Sequence, residues 1–68
     1  MNNEERVLKY LIQQVEFTSP GVIGRIIGGE GKHSSWASPI CKRLVLKGLA
    51  ERNNRGWYRA LNQNETGG

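Results

Sequence analysis

A chain of 68 residues with one cysteine, Cys41, must hold its core together by packing, because it has no second thiol with which to close a loop. There is room for one domain, expected over residues 1–61, and one hydrophobic core. A lone thiol also points to a reducing, cytoplasmic setting. The start, Met1-Asn2-Asn3-Glu4-Glu5, is polar and acidic where a secretory leader would be basic and then apolar. No apolar run reaches membrane-spanning length, so no membrane partner is expected.

The core has to come from short periodic segments. Val7, Leu8, Leu11, Ile12 and Val15 recur at helical spacing and predict a first helix from about Asn3 to Glu16, capped by Asn3, with those five on its inner face. Glu16-Phe17-Thr18 is a brief extended piece with Phe17 inward. Ser19-Pro20 then starts a second helix to about Ile27, serine as cap and proline at the first helical position. Gly28 to His33 reads as a flexible connector.

Ser34-Ser35 offers caps for a third helix that runs through Ile40 to Lys47 and is ended by Gly48; with Ser35 as its cap Pro39 falls in the first turn, and with Ser38 as its cap Pro39 is the first helical residue. At 100° per residue Ala37, Ile40, Cys41 and Leu44 face inward. Ser35, Ser38, Pro39, Lys42 and Leu46 face outward, with Trp36 and Arg43 near one boundary and Leu46 expected to pack beneath the hairpin segment. Leu49–Arg52 and Trp57–Leu61 around Asn53-Asn54-Arg55-Gly56 predict that hairpin. Its inner residues are either Tyr58 and Ala60 or Trp57 and Leu61. Asn62 to Gly68 is polar and is expected to be a disordered tail. The fold class is α+β, mainly α, in the order helix, strand, helix, helix, strand, strand.

Charge is unevenly spread. Arg6, Lys9 and Arg25 stand against Glu4, Glu5, Glu16 and Glu30 in the first 31 residues. Lys32, Lys42, Arg43, Lys47, Arg52, Arg55 and Arg59 stand against Glu51 alone in residues 32–59. A polyanion selects such clustering, because each phosphate neutralised releases condensed counterions. Catalytic chemistry has little to use: there is no aspartate, and His33 and Cys41 form no pair at a familiar spacing. His33 is expected to be exposed, Cys41 and Trp36 to serve the core, and Trp57 to stack, pack or meet a partner. No enzyme activity, cofactor, metal or small-molecule ligand is expected.

The stretch Leu44-Val45-Leu46-Lys47-Gly48-Leu49-Ala50-Glu51-Arg52, followed by Arg55-Gly56-Trp57-Tyr58-Arg59, resembles the recognition-helix end and wing of winged helix-turn-helix transcription regulators. The resemblance spans roughly residues 4–61 and implies a winged-helix fold. It also implies double-stranded DNA as partner, with the third helix in the major groove and the hairpin on the backbone or minor groove. The side chains that suit those roles are Lys32, Ser34, Ser35, Ser38, Lys42 and Arg43 around the helix, and Arg52, Asn53, Asn54 and Arg55 on the wing. A homodimer is a second partner the reading admits, since one small module offers limited contact area. One departure is the connector, longer than the three or four residues usual between the two central helices.

Other readings compete. Gly28-Gly29-Glu30-Gly31 fits the G-x-x-G loop of KH domains, which bind single strands, and Val22 to Ile27 resembles their preceding helix. Ser34 stands where such domains bury an aliphatic residue, and no helix follows the hairpin. Gly31-Lys32 lacks the earlier glycine, at Ile26, and the hydroxyl residue, at His33, that a P-loop needs. A winged-helix module used for protein association is the third alternative.

Overall fold

The computed structural model describes residues 2–61; the expected tail lies outside them. Three helices and a two-stranded antiparallel sheet form a mainly helical α+β fold. Helix α1 runs Asn3–Gln13, and its cap is Asn2 rather than Asn3. The Asn2 carboxamide accepts from the Glu5 N–H at 2.9 Å while the Glu5 carboxylate accepts from the Asn2 N–H at 3.2 Å, a reciprocal capping box. The helix stops three residues before the expected Glu16, at Gln14, whose backbone is extended. The chain must turn there to let Thr18 pair with Tyr58. Only Val7 and Leu11 of the predicted stripe are buried; Ile12 is 53% exposed and Val15 85%.

Helix α2 covers Pro20–Ile23, with the Ser19 hydroxyl accepting from the Val22 N–H as predicted, and continues as a π-helical turn over Gly24–Gly28. Its glycines do more than weaken it. A Cβ on Gly24 would stand 2.2 Å from the His33 carbonyl oxygen, and one on Gly28 would stand 2.8 Å from the Trp36 ring. The start of the next helix therefore lies directly on these two positions. Gly28 belongs to the helix, so the connector is only Gly29 to His33, shorter than the sequence suggests, with Gly29 and Gly31 at φ of 101° and 83°. From α1, the Arg6 guanidinium donates to the Ile27 carbonyl at 2.8 Å and ties down the end of this turn.

Helix α3 runs Ser34–Leu46 with His33 as its cap residue, so Pro39 lies inside the helix instead of in its first turn. Its missing N–H leaves the Ser35 carbonyl without a helical donor, on the exposed side. Ala37, Ile40, Cys41 and Leu44 are buried, the four that periodicity selects. Gly48, at φ 77°, ends the helix: its N–H donates to Val45 and that of Leu49 to Leu44. Leu46 does not pack beneath the hairpin; it is 86% exposed.

Strands β1 (Ala50–Arg52) and β2 (Tyr58–Ala60) pair with Glu51 opposite Arg59. On the other edge of β2, Thr18 exchanges both backbone hydrogen bonds with Tyr58, at 2.8 and 2.9 Å. Tyr58 is buried and Ala60 packs against the core, which decides the open choice of hairpin face. Because Thr18 is opposite Tyr58, Phe17 falls on the outer face, where the Arg59 guanidinium lies 4.3 Å from its ring centre. Phe17 is thus not the inward residue.

Candidate nucleic-acid interface

Helix α3 has a buried face against α1 and α2, so its remaining surface divides into an exposed stripe and an edge beside α1. The stripe carries Ser35, Pro39 and Lys42, with Leu46 at its end and Ser34 at its start; Ser38 is half-buried along its flank. Lys32 and His33 are exposed just before it. Lys42 has no carboxylate partner among the described residues.

The edge is different. Glu4, in the first turn of α1, accepts from Arg43 Nε at 2.7 Å through one oxygen and from Lys47 Nζ at 2.5 Å through the other. Hydrogen bonds from Lys47 and then Arg43 hold the Glu4 carboxyl below its ordinary range. Arg43, counted among the candidate contacts from its place near the helix boundary, is thereby turned to α1. Nothing in the sequence signals this clamp, because it spans 39 and 43 residues.

The hairpin turn is built by Asn53. Its side-chain oxygen accepts from the N–H groups of Arg55 and Trp57, both at 3.0 Å, and its carbonyl accepts from the Gly56 N–H. Gly56, at φ 81°, supplies the left-handed residue of the turn. Asn53 is therefore committed to the turn, whereas Asn54 is exposed at its tip. The Arg52 guanidinium lies over Gly56, its Nη2 3.4 Å from where a Cβ would be. That of Arg55 lies 5.4 Å from the Trp57 ring centre. Both remain exposed and free of carboxylates among the described residues. Arg59 is bound to Glu51 at 2.6 Å, a pairing that the register around the Asn/Gly turn places directly across the strands.

The ten candidate residues thus fall into two groups. Lys32, Ser34, Ser35, Lys42, Arg52, Asn54 and Arg55 are exposed with side chains available to a ligand. Arg43 and Asn53 are engaged within the fold and Ser38 is partly covered. The glycine loop is less available than its spacing suggests, since Gly28 sits beneath Trp36.

Comparison with protein-family models, curated proteins and solved structures gave no match. Among the described residues no cluster of His, Cys, Asp or Glu could hold a metal, and no helix is long and apolar enough to cross a membrane. Cys41 lies in the core, and burial pushes its thiol up to about 11.

Proposed function

We propose that this chain binds double-stranded DNA as a winged-helix module in transcriptional regulation, with α3 entering the major groove and the hairpin tip on the backbone or minor groove. The observation that carries the reading is the exposed α3 stripe: Ser35 and Pro39 give small side chains for close approach, and Lys42 gives a cation with no ion-pair partner among the described residues. The element order supports it, as does β2 lying between Thr18 and β1, an arrangement compatible with a wing. Arg52 and Arg55 supply the wing's cations.

Fluorescence anisotropy with duplex and single-stranded oligonucleotides at graded salt tests this. Duplex is expected to bind more tightly than either single strand. Lys42→Ala is expected to weaken duplex binding by roughly tenfold and to lower the slope of log affinity against log salt by about one, the mark of one lost phosphate contact. An unchanged affinity and slope in Lys42→Ala and Arg55→Ala alike would remove the proposed surface.

A further inference from the structure

Two large apolar side chains on the α1 side are left in water. Ile12 and, just past the helix, Val15 are exposed although they continue the stripe begun by Val7 and Leu11. Val15 stands between two hollows. One, about 550 Å³, lies between α1 and the base of the hairpin; Leu8, Ile12, Leu49, Ala60 and Leu61 line it, with Gln14 and the Glu51–Arg59 ion pair on its wall. The other, about 500 Å³, mixes Tyr10, Phe17, Val22 and Trp57 with polar residues such as Gln13 and Glu16. A projecting apolar crest beside the aliphatic part of the first hollow is self-complementary, because a twofold axis lets each copy's crest enter the other's hollow.

We propose that this face binds a second copy of the chain. Charge supports that occupant. Lys9 and Glu16 border the Leu8–Ile12–Val15 strip near its two ends, carry opposite signs, and have no ion-pair partner among the described residues. Antiparallel packing of two such strips brings Lys9 of each copy toward Glu16 of the other. Of the other cations, Lys32, Lys42, Arg52 and Arg55 belong to the α3 region and the hairpin tip, and Arg59, on the wall of the first hollow, is paired with Glu51. Residues 62–68, Asn-Gln-Asn-Glu-Thr-Gly-Gly, contain no large apolar side chain with which to fill the hollow from within the chain.

Sedimentation equilibrium of the full chain, without nucleic acid, from about 10 μM to about 1 mM tests the proposal independently of DNA binding. A reversible dimer is expected in that range. Val15→Glu, at an exposed position that leaves the fold intact by circular dichroism, should raise the dissociation constant roughly 30-fold or more. Lys9→Glu should weaken the dimer several-fold and the swap Lys9→Glu/Glu16→Lys should restore it. A chain monomeric at the top concentration, or a dimer indifferent to Val15→Glu, would overturn the proposal. So would a monomer in which deleting residues 62–68 shifts the amide signals of Ile12 and Val15, since the tail would then occupy the hollow.

Discussion

The exposed stripe of α3 and the edge of the same helix that faces α1 carry cations one residue apart, yet the fold treats them differently. Lys42 has no ion-pair partner among the described residues, whereas Arg43 is held, together with Lys47, by the two oxygens of Glu4. The contrast teaches that a basic sequence segment is not a basic surface. Of the seven cations between residues 32 and 59, Arg43 and Lys47 share the single carboxylate of Glu4 and Arg59 pairs with Glu51, so three cations meet two carboxylates and their side chains stay 51%, 56% and 41% exposed. Those without an ion pair among the described residues are Lys32, Lys42, Arg52 and Arg55. They divide between the α3 region and the hairpin tip, so a ligand that uses them all has to touch both.

The comparison breaks most completely if α3 loses its seat. Gly24→Ala puts a methyl group against the His33 backbone, which cannot swing aside as a side chain can, and should cost about 3 kcal/mol of stability in urea denaturation. Ordinary helix propensity predicts the opposite sign, a gain of up to about 1 kcal/mol. Gly21→Ala, with nothing near its added carbon, is expected to follow propensity and is the internal control. Destabilisation of both to the same extent would mean that Gly24 is not a packing position.

The hairpin tip is the next place to intervene. Asn53→Ala removes the acceptor for two backbone N–H groups and should cost about 1–2 kcal/mol in a thermal melt. Asn54→Ala should leave the melt unchanged. If Asn53 instead acts by touching DNA, its substitution will lower affinity without moving the melting temperature.

A smaller change would sharpen the contrast by turning the edge into a second stripe. Glu4→Gln removes the carboxylate shared by Arg43 and Lys47, a net change of one charge, and should steepen the salt dependence of duplex binding by about one charge's worth. The same clamp has a pH signature. Because the folded carboxyl is depressed below its ordinary value of 4.5, the stability it contributes is present above that value and is lost as pH falls through the lower, folded one. Acid titrations of wild type and Glu4→Gln should therefore begin to approach one another as pH falls below 4.5 and meet only below the lower, folded value. The smallest effect is expected for Arg43→Ala, whose duplex affinity should change by less than about threefold because Glu4 holds its guanidinium toward α1 and away from the exposed stripe.

Much of the fold was legible because the signals were local. The Ser19-Pro20 start, the Gly48 stop and the inward set Ala37, Ile40, Cys41 and Leu44 follow from capping geometry and a 100° step. Three errors share another cause. Val15 and Ile12 continue the α1 stripe in sequence, yet the chain leaves the helix at Gln14 to reach Tyr58, a strand contact 40 residues away that periodicity cannot register. Leu46 fits an apolar slot only if the hairpin folds over it, and the turn at Gly48 carries that segment elsewhere. Gly28 reads in the sequence as the start of a flexible connector, yet with Gly24 it forms a docking groove once α3 crosses them. For the site, exposed Lys42 and the hairpin cations were legible from charge and position. The neutralisation of Arg43 was not, because its partner lies on α1.

The most direct test is a two-dimensional NMR titration of the chain with duplex DNA. Shifts are expected at Ser34, Ser35 and Lys42 and at Arg52 through Arg55, with the Arg43 Nε–H resonance and the Glu4 carboxylate staying in their bound positions. Shifts centred on Gly28 through Gly31 with single strands, or an Arg43 side chain that leaves Glu4 for the duplex while Lys42 stays unperturbed, would contradict the division of α3 into an available stripe and a neutralised edge.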